Sequence, residues 1–172
     1  QHTPAQMDIQ KMTNLNGQYL AEMEIGKFTE MCKSYLAVYD WGQNLDPQYL
    51  AKVCTLMQSR LKKFADVEQW KYFFVETPDY DEKNLAKQFK DDSVKAALKE
   101  LEGALAGCDF TAAAIEAAIH ATTEKLGMGQ GKLNQPLRAA VTGVGIGAGI
   151  YETLELLGKD LSMARLDAFF KR

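Results

Sequence analysis

Apolar residues along this chain step by three and four, and no convincing two-residue alternation marks a strand. Ile25, Phe28, Cys32, Tyr35 and Tyr39 form one stripe, the inward face of an amphipathic helix. Trp41-Gly42-Gln43-Asn44 breaks that pattern, after which Asp46 is placed to cap a second helix and Pro47 to open it. Leu50, Val53, Cys54, Met57 and Leu61 make its buried stripe. Arg60 lies about 80° from that stripe, at the edge of the buried face. Asp66-Val67-Glu68-Gln69 has capping-box spacing and predicts a short aromatic helix from Trp70 to Phe74. Thr77-Pro78-Asp79-Tyr80 reads as a turn between two halves.

In the second half, Val94, Ala97, Leu98, Leu101 and Leu105 predict a charged surface helix over 91–106, stopped by Gly107. Phe110-Thr111 caps the next helix, whose stripe is Ile115, Ile119, Thr122 and Leu126. A glycine-rich entry, Gly127 to Gly131, leads through Lys132 to Pro136, which sets a helix start with Arg138 behind it and Gly143 as the stop. A helix near 150–157, a stop at Gly158 and a last helix carrying Leu161, Leu166, Phe169 and Phe170 complete the pattern. The fold class is all-α, two stacked helical subdomains whose short helices depend on mutual packing.

Composition changes this picture little: 47% hydrophobic and 25% charged residues are those of a globular protein. No uninterrupted apolar run reaches the ~18 residues of a membrane span, so no membrane role is expected. A chain that opens on Gln1 is expected to be an excised or processed piece. Charge adds more. The net value of −3 is mildly unfavourable to nucleic acid, yet phosphate contacts depend on local clusters. Residues 58–71 carry Arg60, Lys62, Lys63 and Lys71 against Asp66 and Glu68. Residues 120–142 carry Lys125, Lys132 and Arg138 against Glu124, while 79–102 is net acidic.

Candidate chemistry is sparse. Gly143-Val144-Gly145-Ile146-Gly147-Ala148 satisfies the dinucleotide fingerprint in letters but lacks the preceding strand that the motif requires. His2 and His120 cannot form a paired metal site, and no serine or cysteine carries a nucleophile motif. Cys32, Cys54 and Cys108 have no metal-binding spacing; the first two fall on apolar stripes as small core residues, in keeping with a reducing cytosol. Arg60 and Arg138 are the sharper candidates, because an arginine fork can hold phosphate, read a base edge or stack on a base. Taken alone, each is better explained by a helix-surface ion pair. The helix start at Gln135-Pro136 also offers free backbone N–H groups where phosphate is favoured.

The stretch GKLNQPLRAAVTG over 131–143, followed by IYETLELLGKDLSMARL over 150–166, resembles the C-terminal anticodon-binding region of bacterial glutamyl-tRNA synthetases. LNGQYL at 15–20 resembles a helix that in this family leads from the stem-contacting region toward the anticodon region. Tyr72-Phe73-Phe74 and Tyr80-Asp81-Glu82-Lys83 match a family segment between two helical subdomains. The resemblance implies a junction helix over 1–24, a first anticodon-binding subdomain over 25–78 and a second over 79–172, together an anticodon-binding helix cage.

What the resemblance implies for function is specific. The chain would be a monomeric, cytoplasmic recognition module for glutamate tRNA, catalytically inactive alone and partnered by its enzyme's own catalytic domain. The module itself takes no cofactor; the parent, a class I glutamate–tRNA ligase, uses ATP and Mg²⁺. Arg138 falls on the family's base-reading arginine, and Arg60 on the position reading the first anticodon base, where arginine goes with rejection of glutamine tRNA. Ile150 and Tyr151 fall on apolar contacts to splayed bases. His120 occupies a position where relatives can carry arginine, and Lys132 belongs to the same basic stretch. The four-glycine loop before Ile150 lacks the family's S/T-P-G turn and is expected to be floppy. The alternative is an all-helical protein-interaction adaptor with Tyr49, Trp70 and Tyr151 exposed toward a partner helix.

Overall fold

A computed structural model describes residues 16–172, all helix, turn and loop, with no strand among them. Most of the junction helix expected over 1–24 lies outside the described residues; helical backbone is seen over 16–22 (α1). The chain divides into two compact units between Val75 and Glu76.

In the first unit, α2 (Ile25–Leu36) and α3 (Pro47–Met57) pack together. Both start on side-chain caps. The Glu24 carboxylate accepts from Gly26 N (2.8 Å) and Lys27 N (2.9 Å), and Asp46 Oδ2 accepts from Tyr49 N (2.9 Å) with Pro47 in the first turn. The buried stripe of α3 is the expected one. That of α2 is rotated: Phe28, Cys32 and Leu36 are fully buried, while Ile25 and Tyr35 are 38% and 44% exposed. The four-residue step 28–32–36 keeps one line against α3, and Tyr35 instead stacks on Phe64 at 5.2 Å. Gly42 then turns so tightly on α2 that a Cβ would collide with the Leu36 carbonyl oxygen.

The segment expected as a capped aromatic helix is a ten-residue 3₁₀ helix, Phe64–Phe73. The capping-box letters lie inside it, and its N-cap, Lys63, makes no side-chain cap bond. Three residues per turn explain the departure: Val67, Trp70 and Phe73 eclipse one another and are all buried.

The second unit holds α4 (Glu82–Gln88), α5 (Asp92–Ala106), α6 (Ala112–Lys125), α7 (Asn134–Thr142), α8 (Ile150–Leu157) and α9 (Lys159–Phe170). Helix α4 was not anticipated, for its seven residues bury none of their own and give no apolar signal. The stripes of α5 and α6 lie inward apart from Val94 and Leu126; Leu126 is 42% exposed because α6 stops at Lys125. Helix α7 is the centre of this unit, buried from Pro136 through Thr142, and α4, α5, α8 and α9 all contact it. It begins two residues before the expected proline; Pro136 still fits, since first-turn N–H groups have no intrahelical acceptor.

Candidate nucleic-acid interface

Arg60 ends a single 3₁₀ turn, Gln58–Arg60, that follows α3, rather than continuing the helix as its spacing suggested. Two anchors fix that turn. Leu61 is 3% exposed, and Gln58 Nε2 donates to the carbonyls of Leu20 (2.9 Å) and Met23 (2.8 Å). Arg60, Lys62 and Lys63 are all exposed, and Lys63 approaches Asp66 at 4.0 Å. The first unit thus offers a short basic turn on a pinned backbone. Gln58 was missed as a support, although a glutamine beside a candidate arginine at a helix end could have raised it.

In the second unit the candidates divide into covered and uncovered. Arg138 is 7% exposed, with Nε and Nη1 buried, which leaves too little open face for base stacking. Ile150 is 3% exposed and belongs to the core, so it is Tyr151, half-exposed, that the start of α8 shows to solvent. His120 on α6 meets the Tyr151 ring edge-on with centroids 6.4 Å apart, and its Nε2 lies 3.2 Å from Gln130 Nε2. The structure therefore brings His120, Gln130 and Tyr151 together. Lys132 stands exposed on the approach to α7, its stem against Gly129.

The glycine loop 143–149 is more constrained than its composition implied. Gly143 has φ +79°, and a Cβ there would collide with the Asp79 carbonyl oxygen. Its own carbonyl accepts from Asp81 N at 2.8 Å, Gly145 rests on the Asn84 side chain, and Ala148 is 1% exposed. Two of the four glycines, Gly143 and Gly145, serve close packing against 79–84. Ile146, 87% exposed, is the one large apolar side chain that this loop holds out. A lone aliphatic residue between glycines was a legible signal for it.

The adaptor's aromatics do not form an open face. Trp70 is 2% exposed, and Tyr49 donates its hydroxyl to the Phe73 carbonyl at 2.6 Å while meeting Phe74 edge-on.

An all-helical domain with an exposed basic turn in one unit and a centrally buried arginine helix in the other is the class these features define. The profile of the anticodon binding domain family matches residues 27–170, and the chain belongs to that family. It is similar to glutamate–tRNA ligase 2 of Thermoanaerobacter pseudethanolicus, 31% identical over 167 residues covering 95% of this chain and 35% of the relative. The glutamate–tRNA ligase of Mycolicibacterium smegmatis is 34% identical over 96% of this chain and 34% of its own. Among solved structures, a glutamate tRNA ligase from Elizabethkingia meningosepticum superposes with a TM-score of 0.79 at 27% identity, over 92% of this chain and 31% of that one. The chain thus spans about a third of the length of these relatives.

Proposed function

We propose that the chain is the anticodon-reading part of a glutamate–tRNA ligase. The observation that carries this reading is the family match across both units, 27–170, falling on a chain whose first unit exposes Arg60 on a pinned turn. Arg60, with Lys62 and Lys63 beside it, supplies the phosphate and base-edge contact of that unit. Arg138 reads a base edge with what its burial leaves open. The Tyr151 ring offers a stacking surface, braced by His120, with Lys132 adding charge near the same helices. Ile150 supports Tyr151 from within the core. The partner is the anticodon loop of glutamate tRNA, the module acts as a monomer in the cytoplasm, and Arg60 favours glutamate over glutamine tRNA.

In the whole enzyme, glutamate is joined to the tRNA at the expense of ATP with Mg²⁺. Among the described residues no three His, Cys, Asp or Glu side chains gather as metal ligands. This part contributes binding free energy that positions the distant acceptor end.

The test is binding to a glutamate-tRNA anticodon stem-loop at two salt concentrations. Affinity should fall steeply with salt through counterion release. Arg60→Ala and Arg138→Ala should each lose about 1–3 kcal/mol, with the Arg60 loss shrinking when the first anticodon base is swapped. Equal affinity of the wild-type chain for an unrelated hairpin would sink the proposal.

A further inference from the structure

The last carbonyls of a helix have no partner within it and must find one outside. At the C-terminal end of α7 the C-cap Gly143 supplies one partner, and side chains from elsewhere in the second unit supply two more. Ala139 O accepts from Gly143 N at 3.1 Å, and Ala140 O accepts from the Tyr80 hydroxyl at 3.4 Å. Val141 O accepts from Arg165 Nη1 at 3.0 Å. Arg165, on α9 and 2% exposed, also donates Nε to the Glu76 carbonyl at 3.3 Å. One guanidinium therefore joins the end of α7 to the first residue of the unit. Its charge is also well placed at a helix C-terminus, where the backbone dipole is negative.

Arg138 lies one turn upstream of Val141 on the same helix, and Thr142 Oγ1 closes that turn by donating to the Arg138 carbonyl at 2.7 Å. Because only 7% of Arg138 is open, a small rotation or retreat of α7 would withdraw what it shows to solvent. The side chain that fixes the end of α7 thereby controls the arginine one turn before it. We propose that Arg165 is a positioning residue for base discrimination: by clamping Val141 and Glu76 together it sets the presentation of Arg138. This rests on the reading of Arg138 given above. A lysine at the same place would keep the charge but lose the planar fork that serves two carbonyls in different directions.

The experiment uses the 172-residue chain, a glutamate-tRNA anticodon stem-loop, and loops with each anticodon base swapped in turn. Affinities are compared for the wild type, Arg138→Ala, Arg165→Lys and the double variant. Arg165→Lys should lose roughly tenfold in cognate-over-swapped preference, at the base where Arg138→Ala loses it. The double variant should lose no more of that preference than Arg138→Ala alone. A merely structural arginine would weaken all loops alike and leave the preference ratio unmoved, which would overturn the proposal. Should Arg138→Ala itself leave every ratio unchanged, the reading of Arg138 fails first and the role of Arg165 falls with it. If circular dichroism shows Arg165→Lys unfolded, Tyr80→Phe decides instead. It removes the bond to Ala140 and should lower the same ratio by a smaller factor; an unchanged ratio there also overturns the proposal.

Discussion

The two units present an arginine in opposite ways. In the first, Arg60 stands in solvent on a turn of three residues, and its neighbours Gln58 and Leu61 anchor the backbone beneath it. In the second, Arg138 is carried by a helix that is covered on all sides, and its placement depends on what caps that helix. An exposed arginine costs little to keep and is free to adapt, whereas a covered one contributes to the fold that holds it. The contrast separates affinity from architecture: removing Arg60 should touch binding alone, and removing Arg138 should touch both.

The largest expected effects come from the close backbone approaches that each unit builds on glycine. Gly143→Ala forces a left-handed Cβ into the Asp79 carbonyl and should cost more than about 2 kcal/mol in urea unfolding. Gly42→Ala meets the Leu36 carbonyl and should destabilise the first unit. Trp41 and Trp70 both lie in that unit, so tryptophan fluorescence follows it. An equal shift of the tryptophan transition by Gly143→Ala would mean that both units melt as one.

Next in size, Arg138→Ala should cost about 1–3 kcal/mol of stability because it empties space that a buried side chain fills. Arg60→Ala should stay within about 0.5 kcal/mol, and thermal melts of the two variants check the difference. If Arg138→Ala melts like wild type, the contrast between the units collapses. Gln58→Ala should cost about 1–2 kcal/mol through two lost hydrogen bonds to carbonyls, and should weaken stem-loop binding without removing a charge. Unchanged binding would mean that Arg60 needs no pinned turn.

The smallest effect is shared. Glu24 caps α2 and Asp91 caps α5, and backbone N–H bonds, from Gly26 then Lys27 to Glu24 and from Ser93 to Asp91, hold both carboxyls below their ordinary values. A depressed folded-state value means that each cap stabilises its helix fully above the ordinary carboxylate value and loses that contribution as pH falls from there through the lowered folded-state value. Asn at position 91 caps without titrating. Asp91→Asn should therefore flatten the acid side of the second unit's stability profile, and Glu24→Gln that of the first; unaltered acid profiles would count against both caps.

Periodicity carried most of the helical plan, because apolar stripes and cap letters coincide at Asp46-Pro47, at Thr111 and at Gly158. It misplaced what a 3.6-residue step cannot see: the 3₁₀ path of Phe64–Phe73, the rotation that buries Leu36 instead of Tyr35, and α4, which has no stripe. For the site, local letters marked Arg60 and Arg138 as candidates but not their surroundings. Whether an arginine is covered depends on residues distant in sequence, such as Arg165 and Tyr80 around the end of α7. Buried Arg165 and Ser162 on α9 lie outside the apolar stripe and went unmarked for the same reason.

The amide of Ala112, in the first turn of α6, donates to Glu155 Oε2 of α8 at 2.8 Å across 43 residues of chain. First-turn amides ordinarily trade their hydrogens with water quickly, having no acceptor inside the helix. This one is held by a different helix. Its exchange rate is thus a gauge of how long α6 and α8 remain docked, and so of how long His120 and Tyr151 keep each other's company.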